Sequence, residues 1–222
     1  MIILGIDTTT KWTCAAVSKD GRVLAHAEQL LGKKQSETLP AVVDDVLNAA
    51  GITLSEADFI CTAAGPGYYT GIRTGIAYAA ALAKAADKKV IQVSTLETLV
   101  FDFFDKDGIY APVLKARSDA VYAAVYKTEK NCTEALLKPC FIEAEEFVNK
   151  ISKLPNVILV GADAANYTEL AALENVKIER ECAPDGLIAL IGEKYVQTAV
   201  QPEEVRGNYL REPDIGPAKA KQ

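Results

Sequence analysis

Apolar residues run without interruption from Ile2 to Ile6 and stop at Asp7, which predicts a buried strand. A threonine-rich turn carrying Lys11 and Trp12 leads into a second strand, Thr13 to Ser18. Asp20-Gly21 supplies the positive φ angles of a two-residue hairpin turn and makes Arg22 to Gln29 the third strand. The apolar period then changes from two residues to about 3.6. Leu39, Val42, Val43, Val46, Leu47 and Ala50 fall on one stripe, predicting an amphipathic helix that starts at Leu39, accepts Pro40 in its first turn and stops at Gly51. Phe59 to Ala64 reads as a fourth strand, Gly71 to Ala86 as a second helix capped by Thr70 or Gly71, and Val90 to Val93 as a fifth strand.

The pattern then recurs. Ile109 to Leu114, Ala120 to Lys127 and Ala135 to Ile142 are three more strands, followed by a helix over Glu143 to Ser152 and a strand over Val157 to Val160. A helix from Tyr167 to Leu173, a weaker strand from Val176 to Ile178 and a helix from Asp185 to Thr198, entered through Pro184-Asp185, complete it. Two β-β-β-α-β-α units in tandem predict an α/β protein of the duplicated ribonuclease-H-like class, the architecture shared by actin, Hsp70 and sugar kinases (ASKHA). Polar and turn residues interrupt the pattern over 101–108, so the expected lobes are 1–100 and 101–222, with the last segment returning to the first lobe. Phe101, Phe103 and Phe104 are expected to pack between them.

With 222 residues, half of them apolar, the chain is long enough to bury a sizeable core. Its net charge of −6 and pI near 5.0 repel polyanions, and no basic stripe is visible, which argues against a free-standing nucleic-acid binder. Cys14, Cys61, Cys132, Cys140 and Cys182 are odd in number and scattered, without a CxxC pair, so neither a disulfide framework nor a zinc cluster is expected and a reducing cytoplasm fits. The opening Met1-Ile2-Ile3-Leu4-Gly5-Ile6 lacks the form of a signal peptide, and no apolar run approaches the length of a membrane span. His26 is the single histidine, which leaves a Ser-His-Asp or Cys-His arrangement without a placed base and is too few for a metal centre.

Three features carry candidate chemistry. Gly65-Pro66-Gly67, between a strand and a helix, presents backbone N–H groups that suit an anion, although a plain tight turn explains the same residues. Asp7 with Thr8, Thr9 and Thr10 offers hard oxygen ligands for a nucleotide phosphate and its magnesium; the competing reading is a turn held by its own side chains. Lys115 and Arg117 stand at the equivalent hairpin of the second half, suited to a phosphate or to an ordinary surface turn. The helix from Gly71 is small or apolar all round, either because its own domain clasps it or because another helix covers it; Thr74, Tyr78, Ala81 and Leu82, with Leu39, Val42, Val43 and Val46 of the preceding helix, are the candidate interface.

The run Gly65-Pro66-Gly67-Tyr68-Tyr69-Thr70-Gly71-Ile72-Arg73 resembles the signature of the bacterial TsaB family, also called YeaZ. The resemblance extends to Ile6-Asp7-Thr8-Thr9-Thr10, Ser36-Glu37-Thr38-Leu39-Pro40, Val93-Ser94-Thr95-Leu96-Glu97, Leu114-Lys115-Ala116-Arg117 with Val121-Tyr122, and Tyr209-Leu210-Arg211-Glu212-Pro213, nearly the whole chain. It implies a partner subunit, not itself an enzyme, that binds TsaD, with TsaE joining, in forming threonylcarbamoyladenosine beside the tRNA anticodon. It also implies a homodimer when the protein is alone, docking through the first two helices, and tRNA contact only through the complex. No cofactor is expected of the chain itself, and any ATP or ADP is expected mainly in the partner complex. The metal-holding His-(x)3-His of the catalytic relative falls on Thr95 and Leu99, neither of which can replace imidazole. The alternative is a stand-alone ATP-dependent kinase or a peptidase-like enzyme of the same fold.

Overall fold

The structure is a computed structural model that describes residues 1–30, 34–130, 132–161, 167, 170, 176–178 and 186–211. Asp20 and Gly21 both take positive φ, 49° and 77°, so their turn follows the twist of the strands it joins. Strands β1 (Ile2–Asp7), β2 (Trp12–Lys19) and β3 (Arg22–Leu30) form an antiparallel meander, and β4 (Phe59–Ala63) and β5 (Lys89–Val93) add in parallel, in the order β3-β2-β1-β4-β5. The second sheet repeats this with β6 (Gly108–Lys115), β7 (Ala120–Glu129), β8 (Cys132–Glu143), β9 (Val157–Val160) and β10 (Val176–Ile178), ordered β10-β9-β6-β7-β8 with the same strand senses. The duplicated actin-like α/β architecture is therefore present.

Helix α1 (Gln35–Ala50) begins before Leu39, so Pro40 lies inside it and not in its first turn. Gly51 ends it in the left-handed conformation at φ 68°. The stripe Leu39, Val42, Val43 and Val46 is about 1% exposed at each position, packed with Leu4, Ile6, Ala15, Val17 and Ile60 of the sheet. These four side chains are thus core and not docking surface, a correction to the sequence reading: an apolar stripe of this width is consumed by the sheet beneath it.

Helix α2 (Tyr69–Ala86) lies beside it, with Gly71, Ile72, Gly75, Ala79 and Ala83 inward. Its N-cap is Tyr68; Thr70 and Gly71, the expected caps, already belong to the helix.

The other face of each sheet is covered by a helix from elsewhere in the chain. Helix α3 (Thr95–Val100), absent from the sequence reading, follows β5 but sends Leu96, Leu99 and Val100 against Tyr110, Leu114, Ala124 and Val160 of the second sheet. Conversely α5 (Leu187–Lys194), late in the chain, sends Ile188, Ala189 and Ile191 against Ile3, Ala16, Cys61 and Ile91 of the first. Its backbone approaches so closely that a Cβ on Gly5 would sit 2.6 Å from the Ala189 nitrogen. Phe101 packs with this face of the first sheet, whereas Phe103 stacks on Tyr110 at 4.8 Å and Phe104 meets Tyr126 at 5.6 Å, so the three aromatics do join the two halves. Helix α4 (Ala144–Ile151) buries Phe147 and Ile151 against the remaining face of the second sheet.

The last described helix ends at Lys194, and a separate 3-10 turn covers Val196–Thr198, where one helix to Thr198 was expected. Pro184, Asp185, Cys182, Glu212, Pro213 and all of the expected Tyr167–Leu173 helix except Tyr167 and Leu170 lie outside the described residues.

Candidate functional site

The signature loop is held by the turn between β1 and β2. Asp7 Oδ1 accepts the Thr9 backbone N–H at 2.8 Å and the Thr9 hydroxyl at 2.6 Å, an Asx turn. Burial pushes the Asp7 carboxyl above its ordinary pKa, against the two Thr9 hydrogen bonds, which favour the charged form. Thr8 Oγ1 donates to the Gly71 carbonyl at 2.7 Å, the Tyr68 N–H donates to the Thr9 carbonyl at 2.7 Å, and Thr95 Oγ1 donates to Thr9 Oγ1 at 2.9 Å. Three segments, the threonine turn, the glycine loop and the start of α3, therefore close on one another.

The glycines follow from that contact. A Cβ on Gly67 would run into the Thr9 carbonyl and one on Gly71 into the Thr8 carbonyl, while on Gly75 it would lie 2.6 Å from Thr8 Oγ1. The glycine loop brings its backbone against the threonine turn, and the Tyr68 amide at the entrance of α2 already has an acceptor. Gly65, at φ 108°, precedes a cis peptide bond to Pro66, and its carbonyl accepts the Thr95 N–H at 3.1 Å.

A cleft of about 430 Å³ opens on the outer side of this loop. One wall is Pro66, Gly67, Tyr68, Tyr69 and Ile72; the other is Lys115, Ala116 and Tyr122 of the second sheet. The segment Asn208–Arg211 closes a side, anchored by Asn208 N–H donating to the Ala64 carbonyl at 2.7 Å. Asp7 and Thr10 border a different cavity, of about 20 Å³, room for one water. The two candidate phosphate groups, Asp7 with Thr8–Thr10 and Lys115 with Arg117, are not brought into one site. Arg117 is engaged by Asp119 at 2.6 Å and by Glu143 at 3.7 Å, with its guanidinium over Phe141.

On the outer side of α2, Ala77, Ala81, Ala85 and Arg73 are exposed, and Thr74, Tyr78 and Leu82 are half-buried. Burial, and after it the charge of Asp44 on α1, push the Tyr78 hydroxyl above its ordinary pKa. Of the candidate interface, then, the α2 residues reach the surface and the α1 residues do not. Asn208 was missed entirely; Tyr122, Tyr209 and Arg211 were noticed within motifs without a role, and their signal was those motifs. Among the described residues no three His, Cys, Asp or Glu side chains gather as a metal-binding group. Thr95 and Leu99 are buried, at 1% and 2% exposure. No helix among the described residues is long and apolar enough to cross a membrane.

The family model described as TsaD, tRNA N6-adenosine threonylcarbamoyltransferase, matches residues 29–199. The chain is 36% identical over 147 residues to the tRNA threonylcarbamoyladenosine biosynthesis protein TsaB of Escherichia coli, the match spanning 63% of each chain. It is 28% identical over 171 residues to the Bacillus subtilis TsaB, covering 77% of this chain and 75% of that one. Among solved structures, an uncharacterized protein with similarity to peptidase YeaZ from Pseudomonas aeruginosa superposes with a TM-score of 0.82 at 25% identity, covering 95% of this chain and 99% of the other.

Proposed function

The chain belongs to the TsaB (YeaZ) family, within the group matched by the TsaD model, and on that premise we propose that it is a non-catalytic partner subunit in forming threonylcarbamoyladenosine in tRNA. Its partner is then a TsaD-type threonylcarbamoyltransferase, with TsaE joining the complex, and alone it pairs with a second copy of itself in the cytoplasm. The observation that carries this reading is the pair Thr95 and Leu99. At the positions where the resemblance puts the metal-holding histidines of the catalytic relative, Thr95 instead locks Thr9 and Leu99 fills the core. Neither side chain ligates iron or zinc. The lobes of this subunit are 1–100 and 101–222 with the last segment returning to the first, supported by the packing of α5 on the first sheet.

Docking is assigned to the outer face of α2 around Thr74, Tyr78, Ala81 and Leu82, since exposed alanines let another helix approach closely. Mixing the chain with the organism's TsaD and with TsaE, tRNA and a threonylcarbamoyl donor tests the whole reading. Expected are co-elution with TsaD, product only when TsaD is present, and no ATP turnover or peptide hydrolysis by the chain alone. Steady turnover without a partner would instead favour the stand-alone enzyme.

A further inference from the structure

The fold gathers what no stretch of the sequence displays: exposed aromatic rings interleaved with cations along one continuous strip. Tyr68, Tyr69 and Tyr209 are 46%, 47% and 43% exposed. The rings of Tyr69 and Tyr209 lie 5.5 Å apart, and the Arg73 guanidinium sits 5.4 Å over Tyr69 while donating to its hydroxyl at 3.3 Å. Across the cleft Tyr122 meets Phe141 edge-on at 6.0 Å, and Arg117 and Arg211 stand over the Phe141 ring at 5.3 and 5.6 Å. Lys115 borders the cleft between the two groups. We propose that this strip binds an unpaired RNA strand, with bases stacking on Tyr69, Tyr209 and their neighbours and phosphates meeting Arg73, Lys115 and Arg211.

Side chains of this kind in alternation serve single strands because every base has a face to stack and every nucleotide a charge to meet. A duplex keeps its base faces covered and offers nothing to an exposed ring. The strip also takes in residues that do not line the cleft, Arg73 beside Tyr69 and Arg117 beside Phe141. Arg117 shares its charge with Asp119 and Glu143, and the molecule carries −6 overall, so the binding is modest alone and strongly weakened by salt. The inference deepens the proposed role, and rests on it only for which RNA is presented.

The test uses the full chain and a fluorescein-labelled unstructured decaribonucleotide, read by anisotropy at about 50 mM KCl and again at higher salt. A duplex of the same length and AMP serve as competitors. The strand is expected to bind and the duplex to compete poorly. Tyr69→Ala and Tyr209→Ala should each weaken the strand roughly fivefold or more, Tyr69→Phe and Tyr209→Phe should retain it, and Arg211→Gln should flatten the salt dependence. Circular dichroism checks the folding of each variant, and should an alanine variant unfold, the Arg211→Gln salt dependence decides. No binding at low salt, equal binding of the duplex, alanine variants that bind like the parent, or displacement by AMP as effective as by unlabelled strand would each overturn the proposal. Because the assay contains no partner protein, a chain that fails to co-elute with TsaD leaves this result standing, and a chain that docks without binding RNA leaves the docking standing.

Discussion

Gly51 ends α1 and Gly71 lies in the first turn of α2, yet one is required for its dihedral angle and the other for its missing side chain. Gly51 has φ 68° with nothing within 4 Å of a built Cβ, so Gly51→Ala meets only the left-handed penalty, about 1–2 kcal/mol. On Gly71 the added carbon would sit 2.0 Å from the Thr8 carbonyl oxygen, and the neighbour is backbone that cannot rotate away. Gly71→Ala should therefore cost about 3 kcal/mol or more, from overpacking and the loss of the Thr8–Gly71 hydrogen bond. Urea unfolding of the two variants measures the difference; similar midpoints would contradict the close-approach account. Asp7 offers a second test with a definite sign. Its folded-state pKa is raised by burial, so between the unfolded value near 4 and the folded value the native state holds the proton more tightly, and stability from this group falls as pH rises through that window. An asparagine can still accept both Thr9 hydrogen bonds. Asp7→Asn should thus match or exceed the parent in stability at pH 7, with the advantage shrinking towards pH 4. A large loss at pH 7, together with stabilisation of the parent but not of the variant by added magnesium, would point instead to a carboxylate that holds a cation.

At the scale of single elements, α2 divides its residues between two tasks. Ala81 points outward and is exposed, so Ala81→Arg should unfold at the parent's urea concentration while association with a second copy or with TsaD is lost on size exclusion. Tyr78 is half-buried and packs against the core that α1 and α2 form with the first sheet, so Tyr78→Glu should also lose about 1–3 kcal/mol of folding stability. An Ala81→Arg variant that still co-elutes with TsaD would move the interface off this helix. The elements that the sequence displays well are those long enough to show a period: α1, α2 and the ten strands were legible to within a few residues, and the two-residue turn at Asp20-Gly21 was legible from chemistry alone. Helix α3 was not, because six residues that are nearly all buried carry no amphipathic pattern. Interface and core were confused at Leu39, Val42, Val43 and Val46 because a sequence marks an apolar face without saying what covers it. The cleft is a tertiary object: Tyr69, Lys115, Tyr122 and Tyr209 lie far apart in the chain, and their meeting needed the fold.

Across the whole molecule, the two halves are joined where α3 and α5 pass one another. Glu97 of α3 accepts a hydrogen bond from Lys194 at 3.0 Å and another from the Tyr195 hydroxyl, whose pKa burial and then Glu97 push upward. The Lys194 ammonium also sits 4.7 Å over Phe104. Glu97→Leu should cost about 2 kcal/mol, as loss of charge-assisted hydrogen bonds does. It should also separate two unfolding probes: the fluorescence of Trp12, the single tryptophan, which reports the first sheet, and far-UV circular dichroism, which reports both. Coincident transitions in that variant would mean that the halves are held together by their apolar contacts alone.

The packing of α5 on the first sheet also sets an order of events during synthesis. Ile3, Cys61 and Ile91 have all been synthesised once β5 is made, but the helix that covers them begins only at Leu187. At the usual pace of translation the intervening chain takes about 5–20 s to appear. For that interval one face of the nascent sheet is apolar and bare, a ready target for the chaperones that meet chains at the exit tunnel, and a truncated product ending before α5 should be found bound to them or in inclusion bodies and not free.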